Sequence, residues 1–104
     1  MAFDIELSRR AEIDIYETID YIARDSAESS RKWFDGLFSE LEHLRELPER
    51  FALIPEAADI GRELRSFHYH SHRVVFEVKS RRNLFSIVRV YHGSRQPLST
   101  EDVE

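Results

Sequence analysis

The chain contains no cysteine. Disulfide staples, cysteine-ligated zinc, iron–sulfur clusters and thiol nucleophiles are thereby excluded. Glycine and proline are scarce, three of each in 104 residues, which excludes collagen-like and low-complexity chains. No apolar run approaches the ~20 residues that span a bilayer as a helix. The opening MAFDIELSRR carries charge where a secretory signal has its apolar stretch, so no signal peptide is expected. These absences point to a soluble, cytoplasmic protein with no membrane partner. What is present suits one small domain: 41% hydrophobic residues, 12% aromatic and 34% charged, enough for a core beneath a densely ionic surface.

The net charge of −5 hides an asymmetry. Residues 1–60 hold seven Lys/Arg against fifteen Asp/Glu, a balance of −8. Residues 61–100 hold eight Lys/Arg against Glu63 and Glu77, a balance of +6. The last four residues add −3. A basic segment in an acidic chain either attracts an anionic partner or is neutralised internally by the acidic half. Both readings stand at this point.

Phe3 to Leu7 alternates apolar and acidic residues, the period of a strand with one buried face. Ser8 is an N-cap candidate for a helix running to about Arg24, with Ile15, Tyr16, Ile19, Ile22 and Ala23 at helical spacing. Asp25 to Glu28 breaks it, and Asp25 reads as the cap of a second helix running to about Leu47. Trp33, Phe34, Leu37, Phe38, Leu41 and Leu44 form its stripe, and Pro48 stops it. Aromatics at that spacing are core rather than a ligand box. The short connection predicts an antiparallel helical hairpin. Residues 48–60 read as irregular, with a helical turn at Glu56–Ala58. From Gly61 the pattern turns to strand: residues 62–67, then 72–78, then 84–91 after a turn at 80–83. Residues 97–104 read as an acidic, flexible tail following a single domain at 1–96. The expected fold is α+β: an N-terminal strand, a two-helix antiparallel hairpin, then a three-stranded antiparallel meander, with the helices on one face of the sheet. Which strand of the meander receives the N-terminal one is open.

Val88-Arg89-Val90-Tyr91-His92-Gly93-Ser94-Arg95 resembles the last-strand motif of the RelE/ParE superfamily of bacterial type II toxin–antitoxin toxins. HRVVFEV is similar to that family's "YRIVYRV" strand, with His72 in place of the usual Tyr. Gly61-Arg62-Glu63-Leu64-Arg65 resembles its glycine-plus-basic strand entry. IDYIARDSAESSRKWFDGL resembles its first helix, helix break and second helix, and Leu44 through Pro48 its helix end. The likeness runs from Ile5 to Arg95, and RVYHGSR looks closer to the ParE form "RVLHGAR". The resemblance implies a toxin that blocks growth by binding DNA gyrase and is neutralised by a cognate antitoxin in a hetero-oligomer. It implies no cofactor. The RelE branch implies instead an endoribonuclease that cuts mRNA on the ribosome. A third possibility is a non-toxic module that only binds an antitoxin.

Metal-free RNA cleavage needs a base for the 2′-hydroxyl, a cation for the crowded phosphate and an acid for the leaving oxygen. His92, Arg89, Arg65 and Tyr91 are the candidate catalytic residues. Arg65, Arg73, Arg89, Tyr91, His92 and Arg95 are the candidate partner-binding residues, forming a basic rim on an apolar groove between helices and sheet. Their structural alternatives are simple. Arg89 alternates with Val88 and Val90, so it solvates the opposite face or pairs with Glu77 across the sheet. The pI of about 5.5 and the presence of only two lysines, Lys32 and Lys79, weigh against ribosomal RNA-site chemistry, which phosphate contacts dominate. His68, His70 and His72 would share a face on a continuous strand, but a turn near 68–70 scatters them, so no metal site is expected.

Overall fold

The computed structural model describes residues 2–46, 48–93 and 97–103. Its order is β1 (Asp4–Leu7), α1 (Arg9–Ala23), α2 (Ala27–Leu44), α3 (Ala57–Ile60), β2 (Leu64–Tyr69), β3 (His72–Lys79) and β4 (Leu84–His92). Short 3-10 turns lie at Pro48–Arg50, Ser80–Arg82 and Thr100–Val103. The fold is α+β as expected, and the sheet order is β1-β4-β3-β2. β1 runs parallel to β4, which settles the pairing left open by the sequence. The other two pairings are antiparallel.

Local chemistry explains the helix boundaries. The Ser8 side chain accepts the Ala11 N–H at 3.1 Å and caps α1. α2 is capped by Ser26, which accepts the Ser29 N–H at 3.1 Å, and not by Asp25. The serine sits one residue later, where its hydroxyl reaches the N3 amide. α2 ends at Leu44, before the expected Leu47. Leu47 lies outside the described residues. The β2–β3 hairpin turns on His70 and Ser71, with His70 at φ 53°. Gly61 closes α3 at φ 79°, the left-handed cap that glycine adopts at least cost.

Two cores sandwich the sheet. The first lies under the helices: Ala11, Ile15, Trp33, Leu37, Leu41 and Leu44 pack on Val74, Phe76, Phe85, Ile87 and Val90. The second lies on the opposite face and joins Leu64, Val75, Val88 and Tyr91 to Ile54, Ala57, Leu98 and Val103. A β-bulge makes this division. Val75 pairs Arg89 while Phe76 pairs Ile87, so Val88 is the extra residue. Val88 and Val90 therefore belong to opposite cores, where strict alternation had put them on one face. The sequence reads residues 97–104 as a flexible tail. In the structure Leu98 and Val103 are buried on the second face, because that face is apolar and neither α1 nor α2 covers it.

The hairpin is joined to the sheet by a close approach at Gly36. The Tyr69 hydroxyl donates to the Trp33 carbonyl at 2.8 Å. A β-carbon on Gly36 would collide with the same Tyr69 oxygen. Gly36→Ala is expected to lose about 1–3 kcal/mol in urea unfolding through overpacking. Combined with Tyr69→Phe, part of that loss should be recovered. Purely additive losses would separate the two positions.

Candidate functional site

β4 outruns its neighbour. β1 pairs it only from Leu84 to Ile87, leaving 88–92 with an edge that β1 does not cover. Two side chains close that edge. The Ser8 hydroxyl donates to the Val88 carbonyl at 3.1 Å. The Asp14 carboxylate, one helical turn and a half further on, accepts the Val90 N–H at 2.9 Å. The same carboxylate takes a two-pronged contact from Arg89, Nε to Oδ2 at 2.7 Å and Nη2 to Oδ1 at 3.0 Å. Arg89 is 3% exposed. A paired fork of this kind satisfies two buried charges at once.

The neighbouring cations are engaged in the same way. Arg73 donates to both oxygens of Glu56 at 2.8 and 3.0 Å and to the Tyr91 hydroxyl at 2.7 Å. Arg62 donates to both oxygens of Glu77 at 3.2 and 2.9 Å. Glu77 is thus Arg62's partner and not Arg89's, a correction of the cross-strand pair expected from sequence. Its register partners are Ser86 on β4 and Leu64 on β2, and Arg62 lies two residues before Leu64. Arg65 donates to the Phe51 carbonyl at 2.6 Å. Of the cations in the +6 segment, Arg73 and Arg89 are thus paired with acids from outside it, Arg62 with Glu77 inside it, and Arg65 with a main-chain carbonyl. Glu56 is the clearest electrostatic consequence. The Arg73 guanidinium, and then the Leu98 N–H, hold its carboxyl at about 2, below the ordinary 4.5, against the opposing effect of burial.

The ends of β3 and β4 form a cleft of about 530 Å³ with α1. Glu17, Tyr21 and Ile22 line one side, and Ser71, His72 and His92 the other. His72 and His92 are register partners with ring centroids 5.7 Å apart. His72 also stands edge-on to Trp33 at 5.2 Å. Burial first, then His92 and His70, push the His72 imidazole below its ordinary pKa, with Asp14 opposing. His72 is thus held toward its neutral form near pH 7. His92 is exposed.

Residues 5–97 match the model of a family described as the ParE toxin of the type II toxin–antitoxin system parDE. The chain belongs to the ParE toxin family. Two solved structures share the fold. One comes from a chromosomal ParDE system of P. aeruginosa: 16% identity, TM-score 0.67, covering 88% of this chain and 96% of that one. The other is from the toxin–antitoxin complex RelBE2 of Mycobacterium tuberculosis: 16% identity, TM-score 0.56, covering 88% and 99%. No curated protein sequence is significantly similar to the chain.

Within this ParE-family fold the sequence candidates separate. Arg73, Arg89 and Tyr91 cluster: Arg89 lies over the Tyr91 ring at 5.8 Å, and Tyr91 belongs to the second core. Arg65 is apart from them, on β2 beside Phe51. His92 opens on the cleft. Arg95 lies outside the described residues. Sequence reading missed Asp14 and Glu56, the carboxylates that hold the cluster. Asp14 carried a signal: it falls on the stripe of Ala11, Ile15 and Ile22, where a carboxylate needs a buried partner. Glu56 carried none, since only the fold brings it beside Arg73.

Two outcomes are expected. Asp14→Ala or Arg89→Ala should each lose about 3–5 kcal/mol by urea unfolding, because each strands a buried charge. The double apolar replacement Asp14→Leu/Arg89→Met should lose less than either single change. Glu56 has a depressed folded pKa, so its stabilisation is present above about 4.5 and is lost as pH falls toward 2. That amounts to about 3 kcal/mol at most. Urea midpoints of Glu56→Gln should show a shallower acid dependence between pH 4.5 and 2 than those of the parent.

Proposed function

We propose that this chain is the toxin of a type II toxin–antitoxin pair, that it stops growth by binding DNA gyrase, and that a cognate antitoxin neutralises it in a hetero-oligomer. Membership of the ParE family supports the toxin reading. The two structural neighbours, one from a ParDE system and one from a RelBE2 toxin–antitoxin complex, support an antitoxin partner. The observation that carries the choice of target is the state of the arginines. Arg62, Arg65, Arg73 and Arg89 all have internal acceptors. A scissile phosphate would have to compete with Glu77, Phe51, Glu56 and Asp14 for them. A toxin that works by docking needs no such cation set, since it makes and breaks no bond.

The partner contact is best supported at the cleft holding His92, Tyr21 and Glu17. Tyr21 is 70% exposed and Tyr16, on the same helix, 64%. Exposed tyrosines of this kind are frequent interface anchors. Of the partner-binding candidates, Arg89 acts through folding in this reading, and His92 through contact.

Induced expression in a bacterial host is expected to give filamentation and a DNA-damage response. Co-expression of the adjacent reading frame should relieve both. Purified protein should inhibit gyrase supercoiling, and His92→Ala should weaken that inhibition no more than about tenfold, the size of one interfacial contact. Loss of a general acid or base would instead cost about 10²–10⁴. Cut transcripts with unimpaired supercoiling, abolished by His92→Ala, would establish the RelE-type ribonuclease in its place.

A further inference from the structure

The joint between α2 and the β2–β3 hairpin is built from rings. Trp33, the only tryptophan of the chain, is 8% exposed. It stands edge-on to the Tyr69 ring at 5.7 Å and to the His72 ring at 5.2 Å. His72 in turn meets the ring of His92, its register partner on β4, at 5.7 Å. Among the described residues, Trp33 Nε1 and His72 Nδ1 are both buried without a hydrogen-bond partner. Buried polar atoms are nearly always matched, so two orphans in one ring contact mark a contact held by packing alone.

Such a contact tolerates a neutral imidazole and not a charged one. An imidazolium carries an N–H on both nitrogens. At Nδ1 that N–H is buried with no acceptor, a cost the neutral ring avoids. The groups around the ring do not offset it. From α1, both Asp14 oxygens are taken by Arg89 and the Val90 N–H. Glu17 and Tyr21 line the opposite side of the cleft and are exposed. Tyr91, also in the cleft, has its hydroxyl engaged by Arg73. His92 from β4 and His70 from the β2–β3 turn disfavour a further positive charge. From α2, Lys32 shares a groove with Trp33 and His70 and pairs with Glu28 at 3.4 Å.

We propose that His72 is a proton-operated latch: neutral, it closes the joint between α2 and the sheet, and protonated in mild acid, it leaves the Trp33 ring and opens that wall of the cleft to water. The sign follows from linkage. Burial first, then His92 and His70, lower the folded-state pKa of His72 from 6.5. The unfolded chain therefore takes up the proton first. The joint's contribution to stability is whole above 6.5 and is lost as pH falls below it. This window lies above that of Glu56, so the two titrations separate. The latch does not depend on which target the toxin binds, because its readouts concern the joint itself.

Trp33 reports directly, since a protonated imidazole in contact quenches indole emission far more than a neutral one. Emission of the unaltered protein should fall as pH is lowered from 7.5 to 5, with a midpoint below 6.5. The acrylamide quenching constant should rise at least about twofold over the same range, as local opening exposes the ring. His72→Phe, which keeps a ring in the joint, should hold both signals level. His92→Gln should keep the transition and move its midpoint upward, because one repelling neighbour is gone. Emission of the unaltered protein that stays level down to pH 5 would overturn the latch. A transition of the same size in a folded His72→Phe variant would do so too. A transition in emission with no gain in acrylamide access would make His72 a titrating group that opens nothing, and would equally end the idea. Should His72→Phe fail to fold, proton NMR of the unaltered protein decides. The His72 ring protons and the Trp33 indole N–H should titrate with one shared midpoint below 6.5. Separate midpoints, or a His72 midpoint at or above that value, would refute the proposal.

Discussion

The structure depends on how the exposed edge of β4 is closed. A strand edge in a small protein is a row of unpaired amides and carbonyls and a template for unwanted pairing. β1 is only four residues long and covers less than half of the nine-residue β4. Ser8 and Asp14 close part of the rest, one from the cap of α1 and one from its second turn. Because Asp14 is the acceptor, a cation must sit beside it in a dry place, and Arg89 is that cation. The bulge at Val88 accompanies this arrangement, dividing Val88 and Val90 between two cores while Arg89 faces the carboxylate. Helix position, sheet edge and core division thus meet at one ion pair.

The same logic recurs on the second face. Three forks, Arg62–Glu77, Arg73–Glu56 and Arg89–Asp14, convert a strongly basic segment into a set of internal contacts. Partly buried pairs of this kind hold position more than they add net stability. Their structural effect is to engage Arg62, Arg73 and Arg89 with carboxylates of the same chain. The cleft at the same end of β4 borders this network through Asp14 and Tyr91, and its histidine pair and exposed Tyr21 make it open and aromatic.

The elements were legible because their causes are local. The β-branched and aromatic run at residues 84–91, the serine cap of α1 and the helical stripe of Trp33, Leu37, Leu41 and Leu44 each act within a few residues of chain. The misread cap of α2 was an error of one residue between two adjacent capping side chains. The resemblance of the Val88–Arg95 motif to the RelE/ParE superfamily was legible as well, and the family match over residues 5–97 agrees with it.

By itself the sequence determined the α+β order of elements, the helix-side core and the set of arginines on which the chemistry would turn. Tertiary structure alone decided what those arginines do. The partner of Arg89 is 75 residues away in sequence and that of Arg73 is 17 away. A charge pattern is one-dimensional, and whether a cation meets a carboxylate or a ligand depends on packing between distant segments. The bulge that splits Val88 from Val90 and the burial of Leu98 and Val103 belong to the same class. Each arises because an apolar sheet face must be covered on both sides, a demand that exists only once the sheet has formed.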